Sequence, residues 1–434
     1  MKHSINIFWF RRDLRLNDNH GLFEALQAKS PVLPIFIFDS NILERLPKDD
    51  ARVTFIHETL QKISKKLQKE YNSGISMFLG KPIVIFKQLL ETYTIESIYT
   101  NHDYEPYAKE RDSEIETFLG EHNVNFKTYK DQVVFEKNEI TKADGKPYLV
   151  YTPYMKRWKE TFRRLNFKTY TSETLLSNLI SNHDFSNLSI ADIGFIKSSQ
   201  TIEPYNINPN LIENYEDTRN FPAQDSTSKL GPHLRFGTVS IRNMVKKATA
   251  QQNEIFWQEL IWREFFTQIL WHFPQTHTES FKPQYDRIVW RNNETEFKAW
   301  CEGKTGYPLV DAGMRQLNKT GFMHNRVRML AGSFLCKHLL IDWRWGEAYF
   351  AEKLHDYDMA SNIGNWQWVA GCGVDAAPYF RIFNPTTQIE KFDKKLEYIK
   401  QWLPDFQELT YPTPIVDHKM ARERCLKTYK EALV

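Results

Sequence analysis

The sequence has few cysteines, no long hydrophobic run and little excess charge. Only four cysteines occur among 434 residues, all widely spaced, so neither a disulfide framework nor a zinc knuckle is predicted. Such cysteine usage favours a reducing, cytoplasmic location. No apolar stretch approaches the ~18 residues that cross a bilayer, which excludes an integral membrane protein. The first apolar run is too short for a signal peptide, because Arg11 and Arg12 follow it at once.

The net charge of +3 is too small to indicate binding to nucleic acid or a membrane by itself. No GxGxxG or Walker loop follows the first predicted strand, so a nicotinamide or nucleoside triphosphate site is not expected there. Aromatic residues, by contrast, are abundant: 12 Trp, 20 Tyr and 30 Phe. Most such rings fill cores, but tryptophan can also stack on flat heterocycles or give up an electron. Their positions therefore decide which role applies.

Hydrophobic periodicity divides the chain into two regions with a connection between them. The first region alternates a helical pattern at residues 51–70 with predicted buried strands at Ile5–Phe10, Val32–Phe38, Ile83–Phe86, Ile95–Tyr99 and near Val124–Phe126. This alternation predicts a parallel, Rossmann-like sheet with helices on both faces. After a polar stretch, residues 252–272, 308–340 and 346–361 have helical spacing. We predict an α/β domain at 1–130, a linker at 131–204 and an all-helical domain at 205–434.

Three polar clusters in the second region are candidates for chemistry. Thr227, Ser228 and Lys229 precede a predicted helix start, where phosphate binds well, although the hydroxyls could equally cap the helix. Glu259, Trp262 and Phe266 share a helical face that could bind a flat heterocycle, or could be core. The third cluster is His324, Asn325, Arg326 and Arg328. Arg326 and Arg328 project about 200° apart, so we expect them to contact different partners.

Two acids and an amide follow in an apolar segment. Asp356 and Asp358 could hold a ligand, or one could pair with Arg328, and Asn362 follows four residues after Asp358. Paired acids can suggest acid–base chemistry or a metal. Because no histidine accompanies them at ligand spacing, a metal is not expected.

These motifs, taken in order, resemble those of the photolyase/cryptochrome flavoproteins, and most closely the class I photolyases that act on cyclobutane pyrimidine dimers. The resemblance rests on WFRRDLRLNDN, TSKLG, ELIWREF, KTGYP with VDAGMRQL, GFMHNRVRM, and the segment from 356 to 385 that contains NWQW and DAAPYFRIFNP. It spans nearly the whole chain. It implies an antenna domain, a long linker and a helical domain that binds FAD.

The resemblance also implies residue roles. Residues expected to bind FAD are Tyr215, Thr227, Ser228, Lys229, Leu230, Gly231, Asn325, Arg328, Asp356 and Asp358, with Arg328 and Asp356 paired. Asn362 is expected to face flavin N5, where an aspartate would disfavour the anionic reduced ring by repulsion. Trp366, Trp343 and Trp290 are expected to carry electrons between flavin and surface. Residues expected to contact DNA or the flipped-out dimer are Glu259, Trp262, Asn325, Arg326, Met329, Trp368, Arg381 and Gln388.

The implied activity is light-driven splitting of pyrimidine dimers in DNA by an electron from reduced FAD. We expect the protein to be a monomer. The alternative is a blue-light photoreceptor of cryptochrome type. A (6-4) activity is less favoured, because Asn325 and Met329 occupy the helix where those enzymes carry a histidine. The implied second chromophore is a folate or a deazaflavin. Tyr107 and Ala108 replace the Asn-Glu pair of folate-binding members. The sequence EPY, which ends at Tyr107, is closer to that of deazaflavin-binding or antenna-poor relatives.

Overall fold

The structure, a computed structural model, describes residues 4–165 and 167–433. The chain forms two compact units. The first contains Met1–Glu139, Glu160–Tyr205 and Leu230–Ala250, and the second contains Ile140–Lys159, Asn206–Lys229 and Gln251–Val434. The polypeptide therefore passes between the units several times, rather than once through a linker.

A five-stranded, entirely parallel sheet forms the centre of the first unit, in the order β3-β2-β1-β4-β5. The strands are β1 (Ser4–Phe10), β2 (Val32–Asp39), β3 (Ser76–Gly80), β4 (Thr94–Asn101) and β5 (Asn125–Tyr129). The helices among them are α1 (His20–Leu26), α2 (Ser40–Leu43), α3 (Ala51–Tyr71), α4 (Pro82–Thr92) and α5 (Pro106–Glu121). Two buried apolar clusters involve alternate side chains of β1, as expected for a sheet covered on both faces. The predicted α/β fold is confirmed.

One predicted strand is wrong. Ile83–Phe86 belongs to helix α4, and the strand in this region is β3, several residues earlier. A four-residue apolar run satisfies both a buried strand and the inner face of a helix. Pro82 decides between them, since proline suits the first turn of a helix and cannot donate to a sheet ladder.

The polar stretch predicted as a surface connection contributes to a core. Helix α6 (Tyr151–Arg164) precedes this stretch within the predicted linker at 131–204, and two short 3₁₀ turns lie in the stretch at Ser172–Thr174 and Leu176–Asn178. Ile193 and Phe195 are buried among the apolar side chains of the first unit. These few buried side chains anchor a segment whose composition otherwise resembles a loop.

Helices make up most of the remaining regular structure. They are α7 (Pro209–Glu213), α8 (Tyr215–Thr218), α9 (Gly231–Phe236), α10 (Ile241–Thr249), α11 (Ile255–His272), α12 (Glu294–Glu302), α13 (Pro308–Thr320), α14 (Asn325–Ser333), α15 (Trp343–Lys353), α16 (Met359–Ala370), α17 (Pro385–Phe392), α18 (Glu397–Trp402) and α19 (His418–Leu433). Of these, α9 and α10 belong to the first unit. A π-helical turn, Phe334–His338, follows α14. The second unit is helical as predicted, and side chains from α12 to α19 contribute to its apolar core.

Within residues 4–165 and 167–433, no helix is long and apolar enough to cross a membrane.

Candidate functional site

The predicted phosphate-binding segment lies directly before helix α9. Leu230 is the N-cap of this helix and its side chain has no hydrogen-bonding group, so Thr227 and Ser228 do not serve as the cap. Thr227, Ser228 and Lys229 are half-buried and belong to the second unit, whereas Leu230 and Gly231 belong to the first. The Lys229 ammonium lies 3.9 Å from the centroid of the Phe322 ring.

Lys229 is one of three cations near a buried imidazole. His324 is the N-cap of α14, and its Nδ1 accepts a hydrogen bond of 3.2 Å from the backbone N–H of Arg326. The pKa of His324 is lowered to about 4, first by burial and then by the positive charges of Arg328, Lys229 and Arg326 in that order. The Nε2 atom is buried without a hydrogen-bond partner of normal geometry among the described residues. A buried donor among three cations fits a polyanion such as the pyrophosphate of FAD.

Arg328 and Arg326 have different partners, as their angular separation predicts. The Arg328 guanidinium donates to both Asp356 oxygens, at 3.1 and 2.9 Å. Arg326 donates to the side-chain oxygen of Asn220, and its guanidinium carbon lies 4.3 Å from the Phe392 ring centroid. The Arg328–Asp356 pair is bidentate, so it fixes the orientation of both side chains.

The remaining polar residues of this segment are held at the start of α16. Asp358 is the N-cap and accepts hydrogen bonds from the backbone N–H and the hydroxyl of Ser361, at 3.1 and 3.0 Å. The amide nitrogen of Asn362 donates to Oε1 and to the carbonyl oxygen of Glu347, at 2.9 and 3.2 Å. Burial raises the pKa of the Glu347 carboxyl. Because a carbonyl oxygen can only accept, the Asn362 nitrogen must face Glu347 and its oxygen must point elsewhere.

The three predicted relay tryptophans lie in the core of the second unit or against it. Trp366 and Trp343 are buried, and Trp290 is half-buried with its ring centroid 6.0 Å from that of Tyr429. Trp366 also approaches Trp300, at 6.2 Å between centroids. Trp300 is fully buried and was not singled out from the sequence.

The predicted lesion-binding residues occupy two packed helices. Glu259 and Trp262 lie on α11, and Trp368 lies on α16. The helices meet where Gly364 faces Phe266, since a Cβ at Gly364 would lie 2.2 Å from the Phe266 ring. Arg381 and Gln388 lie outside both helices, with Arg381 exposed and Gln388 half-buried.

Other predicted site residues are placed around this pair of helices. Asn325 is exposed at the first position of α14, and Met329 is half-buried on the same helix. A guanidinium nitrogen of Arg326 lies 3.8 Å from the Met329 sulfur. Tyr215, on α8, packs edge-on against Phe256 of α11 with 5.3 Å between centroids.

Two contacts in this region were missed from the sequence. Arg219 forms an ion pair with Glu259. Tyr151 stacks on Trp262, with 3.6 Å between centroids and 8° between ring planes. Both partners are distant in sequence, so periodicity could not connect them with the pocket.

The residues predicted to affect the second chromophore, Tyr107 and Ala108, lie in the first turn of helix α5 in the first unit. The Tyr107 hydroxyl donates to Asp39 at 2.6 Å and accepts from Asn41 at 3.1 Å. The pKa of Tyr107 is raised to about 12, first by burial and then by the hydrogen bond to Asp39. Ala108 is buried. Of the two residues that replace the Asn-Glu pair, Tyr107 is thus hydrogen-bonded to Asp39 and Asn41, and Ala108 has no side-chain hydrogen-bonding group.

No group of three or more His, Cys, Asp or Glu side chains in the described ranges could hold a metal ion. The four cysteines are free thiols.

Two family descriptions match the chain. "DNA photolyase" matches residues 6–173, and "FAD binding domain of DNA photolyase" matches residues 256–410. The deoxyribodipyrimidine photo-lyase of Synechococcus sp. is 34% identical over 467 residues, which cover 98% of this chain and 96% of that protein. Its counterpart from Escherichia coli (strain K12) is also 34% identical, with 99% of both chains covered.

Solved structures agree with this similarity. A class III photolyase from Agrobacterium tumefaciens is 32% identical with a TM-score of 0.88, covering 100% of this chain and 98% of the other. An archaeal photolyase from Sulfolobus tokodaii, solved with two FAD molecules, is 33% identical with a TM-score of 0.85, covering 99% and 100%. A Synechocystis cryptochrome at 23% identity and a TM-score of 0.83 shares the fold.

Proposed function

The chain belongs to the DNA photolyase family, and from this premise we propose that it splits cyclobutane pyrimidine dimers in DNA with light and FAD. The observation that best supports this proposal is the packing of α11 against α16 at Gly364 and Phe266. It joins the helix of Glu259 and Trp262 to the helix of Asn362. The residues expected at the lesion and at the flavin therefore belong to one packed pair of helices.

The three cations around His324 fit FAD phosphates, and the Arg328–Asp356 pair would present fixed polar groups to the flavin. Reduced FAD, when bound, supplies the electron that opens the cyclobutane ring under blue light and receives it back afterwards. Asn362 is uncharged, and its oxygen is directed away from Glu347 as a hydrogen-bond acceptor. It thus places no negative charge beside a reduced ring.

Glu259 would accept hydrogen bonds from base N–H groups, and Trp262 and Trp368 would pack on the apolar faces of the dimer. Flipping a dimer out of the duplex costs less than flipping a normal base, because the damaged site is poorly stacked. Arg326 and Arg381 would contact the strand, which fixes register without reading sequence.

The test is repair of oligonucleotides that contain one cyclobutane dimer, with a dark control and a (6-4) photoproduct control. We expect loss of the dimer only in blue light, and no change in the (6-4) substrate. The purified protein should release about one non-covalent FAD on heating. Absence of light-dependent repair by flavin-loaded, reduced protein would refute the proposal.

A photoreceptor of cryptochrome type is the second candidate, favoured by the buried Trp366 and Trp343 in one core. It predicts flavin photoreduction and altered proteolysis on illumination, without repair. We also propose a monomeric, cytoplasmic enzyme with a second chromophore in the first unit. Four free thiols are consistent with a reducing compartment.

A further inference from the structure

The Tyr151 ring covers one face of the Trp262 indole, which is predicted to contact the lesion. Its ring is parallel to the Trp262 indole within 8°, and the centroids are 3.6 Å apart. Phe266 lies 5.5 Å from the same indole at an inclination of 29°. Trp262 therefore has a fixed aromatic neighbour, and its remaining surface is what a ligand can contact.

Two hydrogen bonds hold Tyr151 in that position. Its hydroxyl donates to the carbonyl oxygen of Gln258 at 2.7 Å, one turn before Trp262 on α11. Its backbone N–H donates to Oδ2 of Asp375 at 3.0 Å. Burial raises the pKa of the Tyr151 phenol, so the hydroxyl remains a donor near neutral pH. Tyr151 is therefore held to α11 through its hydroxyl and to the segment that follows α16 through its backbone.

The rest of this helical segment is fixed to α11 as well. The Trp158 indole N–H donates to the buried Glu264 carboxylate at 2.6 Å, and the Trp158 and Trp257 centroids are 5.7 Å apart. Contacts at both ends of residues 151–158 oppose sliding or rotation relative to α11. Tyr151 is thus part of a rigid support.

We propose that Tyr151 is a positioning residue for damage recognition, which holds the Trp262 indole in the orientation that receives a pyrimidine dimer. The inference rests on the proposed function and adds to it a residue outside the predicted site. A planar ring stacked on one side stops the indole from tilting, so the dimer meets a preorganised surface. Tyr151 contacts Trp262 and is not itself a catalytic residue.

The experiment compares Tyr151→Phe, which keeps the ring, with Tyr151→Met and Tyr151→Leu, which fill the space without a flat ring. The matched control is Tyr154→Leu, because Tyr154 is buried on the same helix but packs on Phe265 and Tyr148, at 5.2 and 6.3 Å between centroids. Each flavin-loaded protein is titrated with a dimer-containing duplex and an undamaged duplex. Repair by chemically reduced protein is then measured against DNA concentration.

An aromatic pair is worth enough to change an affinity by about twofold to tenfold. We expect Tyr151→Met and Tyr151→Leu to lower the damaged-to-undamaged affinity ratio by that factor and to raise KM, with the rate at saturating DNA retained. Tyr151→Phe should stay within about twofold of the wild type. The flavin spectrum should be unchanged in all variants.

An unchanged affinity ratio in Tyr151→Met and Tyr151→Leu would overturn the inference. So would an equal fall in Tyr154→Leu, which would show a general loss of packing. If neither ring-free variant folds with flavin, Tyr151 is a core residue and the inference also fails. Failure of the proposed function is distinguishable, because the wild type itself would then show no preference for dimer DNA.

Discussion

Gly346→Ala tests how closely the core encloses Trp366. Gly346 lies within α15, and a Cβ there would be 2.1 Å from Cη2 and 2.5 Å from Cζ3 of the Trp366 indole. The same Cβ would be 2.6 Å from a Leu335 methyl group. Neither neighbour has the long flexible end that could turn aside, so the indole or helix α15 must move.

Two effects of opposite sign compete in this substitution. Alanine is favoured over glycine inside a helix by about 1 kcal/mol. Overpacking a well-filled core costs about 1–3 kcal/mol. We therefore expect a net loss of about 0–2 kcal/mol of unfolding free energy, and slower photoreduction of the flavin if Trp366 is its first electron donor.

Gly332→Ala is the matched control, because its Cβ would approach the same indole at 3.5 Å and a Val369 methyl group at 3.2 Å. There the helical preference should prevail, so the protein should be equally stable or up to about 1 kcal/mol more stable. Urea unfolding and illumination of oxidised protein with an external reductant measure the two properties. If Gly346→Ala is more stable than the wild type and is photoreduced at the same rate, the packing argument is wrong.

Three further predictions concern separate parts of the second unit. Trp366→Phe should abolish photoreduction of oxidised FAD but spare repair by pre-reduced protein; unchanged photoreduction would leave Trp366 as core packing. Glu259→Ala should weaken binding of dimer-containing DNA by about 1–3 kcal/mol and binding of undamaged DNA much less. Arg381→Ala should weaken binding of both DNAs and reduce the salt dependence of the affinity. Salt-dependent titrations that give the same result for the two variants would contradict this. In the flavin-free protein, the pKa of His324 is lowered to about 4 and its neutral form is favoured in the folded state, so stability should fall as pH drops from 6.5 towards 4. The unfolding free energy should fall by about 2 kcal/mol at pH 5. The fall should be smaller in His324→Asn, which retains an N-cap acceptor, and identical pH profiles of stability for the wild type and this variant would contradict the prediction.

Hydrophobic periodicity predicted the parts of the fold where one pattern fits one structure. Val32–Phe38 was predicted as a strand, and β2 extends it by a single residue. The run Ile83–Phe86 failed because its length could not discriminate, although Pro82 before it was a usable helix signal. The tertiary packing of Ile193 and Phe195 had no local signal, since two apolar side chains in a polar stretch have no period.

A helical signal was present in the segment predicted as a linker. Tyr151, Tyr154 and Trp158 are spaced three and four residues apart, which places them on one face of a helix, and all three are buried. The sequence could therefore have predicted an amphipathic helix here. Its partners, Trp262 and Glu264, are more than a hundred residues away, so only the folded structure could show what that face covers.

Among the tryptophans, burial does not distinguish an electron carrier from a packing residue. Trp300 and Trp343 are both fully buried in the same core, and the Trp300 centroid lies 6.2 Å from that of Trp366. The indole N–H of Trp300 donates to the Ala331 carbonyl at 3.1 Å, whereas that of Trp343 has no partner among the described residues. A hydrogen-bonded indole has a structural reason to be where it is. The unpartnered one costs stability, as polar groups kept for function often do. Both roles stay predictions, and the difference in hydrogen bonding, which only side-chain geometry could reveal, is a reason to test Trp343 in the relay before Trp300.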